Sequence, residues 1–274
     1  MTAPTSPLLL PVPFDAPLAN PAPNGLFAAT TWVEEDGPLR WLDGGVDVRV
    51  FNYGGEEAFG VWTAPWCASA DDLDDTDVKD GERPDFPDSF AAMTVWATDE
   101  CDLTKQSQDE VRTRAAQVLR LQEQTAAEDV FAQRLLADAP AAVAVADVVA
   151  AVSALEAALA KTNTVGVIHA GAQWAAVAAQ ANLIVRSGTG LKTPLGHTWV
   201  FGGGYVDTLG GVLVAASQPY GWRSAAEVRD AMTLQRNRYR AIAERSLVIG
   251  YEAAVAAVEI GAAGGGSGDG EGEG

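Results

Sequence analysis

Basic residues are scarce in this chain. Eighteen Lys and Arg stand against 37 Asp and Glu, a formal net charge of −19. A protein that binds the phosphates of nucleic acid needs clustered Lys and Arg. This one repels DNA and anionic membranes. Cysteine is nearly absent, with only Cys67 and Cys101. No metal-ligand spacing surrounds them, and a reduced protein is the default expectation. Histidine is limited to His169 and His197. The four residues together are too widely separated in sequence to carry a zinc signature. No run approaches the roughly 20 apolar residues of a membrane span. No basic region precedes Leu8, Leu9 and Leu10, so the start of the chain does not resemble a signal peptide.

Catalytic motifs are missing too. Gly202-Gly203-Gly204 lacks the spacing of a dinucleotide loop, and no phosphate-binding GxxxxGK[ST] occurs. Ser187 has Val185 where a nucleophile elbow needs Gly. His169 sits inside an apolar strand-like run and reads as a core histidine. His197 follows Pro194-Leu195-Gly196 and reads as an exposed loop residue. The acidic run from Asp71 to Asp80 has many carboxylates, but no register places Gly and Glu as an EF-hand requires. No catalytic, cofactor-binding or metal-ligating residue is assigned, and the chain is not read as an enzyme.

What is present is a long helix. Lys105 to Pro140 contains no Gly, and its only Pro closes it. The stretch is rich in Ala, Leu, Gln, Glu and Arg, which lose little rotamer freedom in a helix. Ser107 is the expected N-cap, with Asp109 and Glu110 suited to the positive end of the dipole. The expected apolar face is Ala116, Leu119, Ala126, Ala127, Val130, Phe131 and Leu135.

Around this helix the chain falls into distinct stretches. Seven prolines lie within residues 1–25 and forbid helix or central strand, so an extended arm is expected. Leu8, Leu9, Leu10, Val12 and Phe14 are too apolar for a free tail. Trp32 and Trp41 are expected anchors. Val46, Val48 and Val50 alternate with polar residues as a half-exposed strand does. Phe59 to Trp66 and Phe90 to Ala97 are further expected strands, and between them lies an acidic loop from Ser69 to Asp88. The three together predict a projecting hairpin. Asp147 or Ser153 would cap a helix within 141–159. Residues 164–216 then alternate short strands and helices, starting with a strand at 164–169 and a helix at 172–181. Residues 223–239 mix helix-like and basic character, with Arg229, Arg236, Arg238 and Arg240 as the only dense basic group. Leu247, Ile249, Tyr251, Val255, Val258 and Ile260 suggest closing strands. Residues 264–274 read as a flexible acidic tail.

This order of elements resembles the major capsid protein of tailed bacteriophages, the Hong Kong 97 type, whose fold encapsulin shells share. The TVGVIHAGAQWAAVAAQ step and the terminal AERSLVIGYEAAVAAVEIG run are the local matches, and the overall look is nearest to capsid subunits of actinobacterial siphophages. The resemblance implies an α+β fold. It implies an N-arm over 1–45, an E-loop over 46–101 and a spine helix over 105–138. The P-domain would combine residues 102–163 with 221–261, the A-domain would span 164–220, and a tail would cover 262–274. It further implies self-assembly into hexamers and pentamers of an icosahedral shell around double-stranded DNA, without sequence-specific binding and without a membrane. Scaffolding, portal and decoration proteins are the implied partners. The implied location is the virion, assembled in the bacterial cytoplasm. Lys79 is the only lysine of the E-loop, and the type member's lysine–asparagine cross-link is not carried over because no partner asparagine aligns. An encapsulin-type compartment and a soluble α/β enzyme are the alternatives.

Overall fold

The computed structural model describes residues 14–35, 43–56, 58–74, 77 and 79–261. The expectations for Leu8 to Val12, Trp41 and the acidic tail lie outside the described residues.

The long helix α2 runs Lys105–Asp138. At 1.5 Å per residue it is about 50 Å long. Its cap is Thr104, not Ser107: the Ser107 N–H donates to Thr104 Oγ1 at 3.3 Å. The helix therefore starts three residues earlier than a Ser107 cap would give, and Asp109 and Glu110 fall beyond its first turn. The buried stripe is Val111, Ala115, Leu119, Glu123, Ala127, Phe131 and Leu135, with Glu128 and Ala132 beside it. These recur every four residues, the row that shares one helix face. Ala116, Ala126 and Val130, expected inside, point outward.

Two sheets flank this helix. The first orders β1 (Thr31–Glu35), β9 (Tyr220–Ser224), β11 (Arg238–Gly250) and β10 (Glu227–Thr233), with β2 (Met93–Cys101) also on β11. The 13-residue β11 carries β2 along one edge. Its other edge carries β10 and then β9. Val111, Ala115 and Leu119 of α2 pack on Ala97, Tyr239, Ala241 and Ala243 of this sheet.

The second sheet has seven strands in the order β3 (Val143–Val145), β12 (Ala254–Ile260), β8 (Val212–Ala216), β4 (Val167–Gly171), β7 (Thr198–Gly202), β6 (Gly190–Lys192) and β5 (Val185–Ser187). Strand alternation divides its faces. Val167, Val214 and Ala216 point toward Ala127, Phe131 and Leu135 of α2. Ile168, Ala170, Leu213 and Ala215 point the other way, onto Val148, Val152, Leu155 and Leu159 of α3 (Val148–Thr162). The sheet is therefore the middle of three layers. Asp147 caps α3 through its contact with the Ala150 N–H at 2.8 Å, as the sequence suggests. Residues 143–162 and 254–260 thus pair with, or pack on, the seven-stranded sheet rather than the sheet of β11.

Several expectations fail for identifiable reasons. The expected strand at 46–50 forms only one bridge, Val46 to Phe90. Its alternation is real, since Val50 is buried and Val48 packs against the core, but no neighbour completes a ladder. Residues 59–66 form no strand, for no segment among the described residues pairs with them. The helix-like stretch 223–239 is strand, because pairing with β11 overrides local propensity. Only a 3-10 turn at Leu234–Arg236 interrupts it, closed by Asn237 at φ 48°. The helix expected at 172–181 forms as α4 (Trp174–Gln180), and a further short helix, α5, spans Tyr205–Thr208. The strands β1 and β3 lack sequence signals strong enough to flag. Among the described residues, no helix is long and apolar enough to cross a membrane.

Candidate functional site

Two segments leave this body, the arm at 14–25 and the loop at 54–88. Each is attached by a small set of polar contacts.

The arm has no regular secondary structure and lies along α2. The helix holds it through its backbone carbonyls. Gln117 Nε2 donates to the Ala19 oxygen at 2.7 Å, and Gln124 Nε2 donates to the Asn24 oxygen at 3.0 Å. Arg120 donates to the Asn20 side chain. Extended backbone has no internal hydrogen bonds, so side chains of a neighbouring element must supply them. The arm then turns at Gly25, whose φ of 124° suits glycine. The helical turn α1 (Leu26–Ala29) buries Leu26 in the main core. Trp32 is the anchor expected from sequence: it packs edge-on to Phe27 at 4.9 Å and lies under the Arg223 guanidinium.

Glu128 ties this junction together. It is fully buried, and its carboxylate accepts from the Leu26 N–H at 2.9 Å and from the Gly204 N–H at 2.9 Å. One side chain of α2 thus grips both the arm and the β7–α5 turn. Burial pushes its pKa up, and the N–H groups of Leu26, Gly204 and Gly203 pull it back. Three glycines make room for it. A Cβ at Gly25 would stand 2.5 Å from Glu128 Oε1, and one at Gly202 would stand 2.8 Å from its Cδ. A Cβ at Gly204 would meet the Thr125 carbonyl at 2.1 Å. The Gly202-Gly203-Gly204 run, useless as a dinucleotide loop, serves close approach of the backbone to a buried carboxylate. One turn earlier, Glu123 pairs with Arg245 at 3.1 Å. A cleft of about 580 Å³ between arm, helix and sheet is lined there by Pro21, Pro23, Phe27, Leu119, Arg223 and Arg245.

The loop is clamped at both roots. On the outgoing side the Glu252 carboxylate accepts the N–H groups of Phe51 at 2.9 Å and Asn52 at 3.0 Å. Thr164 donates to Tyr53 Oη at 3.0 Å. On the return side Arg134 donates to the carbonyls of Asp88 at 2.8 Å and Ser89 at 3.1 Å. Its guanidinium lies 4.4 Å from the centre of the Phe90 ring, and its Nε reaches Asp138 at 2.6 Å. Tyr251 also donates to Asp138, at 2.8 Å, and burial raises its pKa. None of Glu128, Arg134, Glu123 or Glu252 stood out in the sequence. Glu123 inside the every-fourth-residue apolar row of α2, with Glu128 beside it, was the one available signal.

Between its roots the loop is wet and apolar at once. Phe59 is 80% exposed, Val61 84% and Trp66 101%. Eleven acidic side chains lie between Gly54 and Asp88 against Lys79 and Arg83. Both basic groups are used locally: Lys79 Nζ lies 4.6 Å from the Trp62 ring centre, and Arg83 lies over Phe86. The expected hairpin is an irregular excursion whose return leg alone leads into a strand, β2. The carboxylates once considered for calcium serve local turns. Asp72 and Ser69 form a capping box that pulls the Asp72 pKa down, and the Asp77 carboxylate accepts from the Asp74 N–H at 3.2 Å.

The remaining sequence candidates do not converge. Cys67 and Cys101 are exposed free thiols. His169 is fully buried in β4 against Phe131, and its Nδ1 lies 3.1 Å from Tyr205 Oη. Burial pushes its pKa down to about 3. His197, expected to be exposed, is buried, and its Nδ1 accepts the Gly166 N–H at 3.2 Å. Among the described residues, no group of three or more His, Cys, Asp or Glu could hold a metal ion. The basic group is largely paired: Arg229 with Glu227 and Glu244, and Arg238 and Arg240 with Glu100.

No protein-family model matches the chain, and no curated protein matches it in sequence. Solved structures from bacteriophages do match its fold. The structure from Mycobacterium phage Adephagia is 12% identical over 90% of this chain and 91% of that one, with a TM-score of 0.53. That from Mycobacterium phage Bobi is 10% identical over 92% and 95%, with a TM-score of 0.52. That from Mycobacterium phage Cain is 11% identical over 92% and 95%, with a TM-score of 0.51. An α+β chain with a long central helix, an extended arm and a projecting loop, matched over nine-tenths of its length, shares the fold of these phage structures.

Proposed function

We propose that this chain is the major capsid subunit of a tailed phage, assembling into an icosahedral shell of hexamers and pentamers around double-stranded DNA. The observation that carries the proposal is the pairing of a capsid fold with an arm and a loop that bury little of their own apolar surface. Phe14 is 84% exposed, as extreme as Val61 and close to Phe59. A soluble monomer seldom exposes such surface unless a partner covers it. Copies of the same chain supply that cover in a closed shell.

The parts follow from the packing. Residues 14–30 act as the N-arm, 46–92 as the E-loop and α2 as the spine. The sheet of β11 with α2 is the P-domain. Packing favours reading the seven-stranded sheet with α3 as the A-domain, so that 143–162 and 254–260 would join it rather than the P-domain that the resemblance implied. The net charge of −19 suits a wall that confines DNA without adhering to it. Scaffolding, portal and decoration proteins are separate partners of such a shell, which would assemble in the host cytoplasm and end in the virion. No catalytic role is assigned.

Electron microscopy of the purified full chain tests this reading. Closed particles of uniform diameter are expected. A monodisperse monomer across concentration, salt and crowding conditions would refute it.

A further inference from the structure

The arm carries a chemical feature that its packing does not use. Asn24 is followed by Gly25, the only Asn-Gly step in the chain. Asn20 precedes Pro21, which has no N–H to react. Asn52, Asn163, Asn182 and Asn237 each precede a residue whose side chain crowds its own backbone nitrogen. Glycine has no Cβ and leaves that nitrogen open. Asn24 is exposed and lies outside any helix or strand. Only its backbone carbonyl is engaged, by Gln124 Nε2 at 3.0 Å. Neither the Asn24 side-chain amide nor the Gly25 N–H makes a hydrogen bond among the described residues. The two groups that would react are therefore adjacent, unpaired and sterically open.

We propose that Asn24–Gly25 is a self-modification site whose conversion loosens the arm from α2. The Gly25 nitrogen, after its proton passes to hydroxide, attacks Asn24 Cγ. The new N–Cγ bond closes a succinimide ring. The Cγ–Nδ2 bond breaks, and Nδ2 takes a proton from water and leaves as ammonia. Water then opens the ring. Cleavage of the N–Cγ bond gives aspartate. Cleavage of the bond from nitrogen to the backbone carbonyl carbon gives isoaspartate, with the chain running through Cβ and Cγ. Overall one water is consumed and one ammonia is released, with no oxidation or reduction. The place of this step in the fold gives it a consequence. Gln117 holds the arm at the Ala19 oxygen, and Glu128 holds it at the Leu26 N–H. Isoaspartate lengthens the main chain by one atom between these two anchors, which one rigid helix keeps at a fixed spacing. Either product also adds a carboxylate next to Gly25, where a Cβ would stand 2.5 Å from Glu128 Oε1. A second carboxylate so near a buried one is disfavoured.

The test is ageing of the purified full chain in mildly alkaline buffer, read by peptide mass mapping and an isoaspartate assay. The peptide that contains residue 24 is expected to gain the mass of an amide turned acid and to separate into two isomers. The rate should rise with pH, because the nucleophile is a deprotonated amide. Asn24→Gln should lower conversion by about tenfold or more, since the longer side chain has more freedom to lose on closing a ring. A Cβ at Gly25 would run into the Gln124 amide, so that residue is left unchanged. Converted chain should be cut within residues 14–25 several-fold faster than fresh chain, with the circular dichroism of the body unchanged. Asn24→Asp supplies the charge without the longer main chain, and its cleavage rate should fall between the two. An intact residue 24 in folded chain, after a peptide of residues 14–30 has converted fully, would overturn the site. Converted chain that is cut no faster than fresh chain would overturn the loosening. Neither result bears on the shell reading, which particle formation decides separately.

Discussion

The seven-stranded sheet and the loop at 54–88 follow opposite physical rules. In the sheet, β4 is buried along its whole length, and residues alternate between the core under α2 and the core under α3. Its polar groups are matched inside the chain, as with His197 and the Gly166 N–H. In the loop, the largest apolar side chains face water and the carboxylates act on nearby turns. One region is complete as a single chain, and the other leaves its large apolar side chains in water, as the proposed shell would require. The difference assigns stability to the first and association to the second. Substitutions in the body should therefore lower melting temperature. Substitutions in the extensions should lower assembly without touching it.

The strongest way to break this division is Leu119→Pro. Leu119 is buried mid-helix against the sheet of β11. Proline there removes a backbone bond and kinks the helix, at a cost of about 3 kcal/mol or more. Folded monomer and particles should both disappear, measured by circular dichroism and microscopy. Normal particles would show that α2 is not the strut of the shell.

Glu128→Ala should rank next, because it breaks the joint between body and arm. It strands the buried N–H groups of Leu26 and Gly204, each worth about 1–3 kcal/mol when unmet, partly offset by relief of a desolvated carboxylate. A lowered melting temperature with faster proteolysis within residues 14–25 is expected. Unchanged proteolysis would mean that the glutamine and arginine contacts hold the arm alone.

These contrasts also explain what the sequence made legible. The long helix, the α3 cap at Asp147 and the closing strands are written in local pattern, because each forms from neighbouring residues or from a run of buried apolar side chains. The strands β1 and β3 are short and have mixed or weak patterns, so their existence depends on partners far away in sequence. The stretch 223–239 looked helical until β11 claimed it. Glu128 and Arg134 were illegible for the same reason: their roles consist of contacts with Leu26, Gly204, Asp88 and Ser89, residues 45 to 102 positions away. The loop misled in another way. Its apolar run at 59–66 has strand composition without a strand partner, and composition alone cannot tell a buried strand from a surface awaiting another chain.

A pH titration sharpens the body side. Burial holds His169 at about 3, below its ordinary 6.5. The unfolded chain therefore binds a proton first as pH falls. The stability owed to neutral His169 is complete above about pH 6.5 and declines toward pH 3, by about 1.4 kcal/mol per unit. Other groups packed at this site are Tyr205 and, beyond it, Glu128, whose pKa values are raised rather than lowered. His169→Gln keeps a polar partner for Tyr205 and removes the titration. Its melting temperature should fall less steeply between pH 6.5 and 4 than that of wild type. Parallel acid limbs would place the acid sensitivity elsewhere.

The smallest expected effect on folding is also the most informative about the loop. Trp66 is fully exposed and lies outside every core cluster. Trp66→Ser should change the stability of the isolated chain by no more than about 0.5 kcal/mol, as for surface positions without special contacts. If a neighbouring copy buries this ring, the same change removes a large anchor from the interface, and such aromatic anchors are worth about 2 kcal/mol or more. Assembly repeats the contact around every ring, so a modest loss per contact multiplies over the shell. The expected pair of results is an unchanged melting curve and a sharply raised concentration threshold for particles. A lowered melting temperature would place Trp66 in the folding of its own chain. An unchanged threshold would mean that this ring stays in water even in the assembled wall, and that the loop associates through Phe59, Val61 and Phe86 instead.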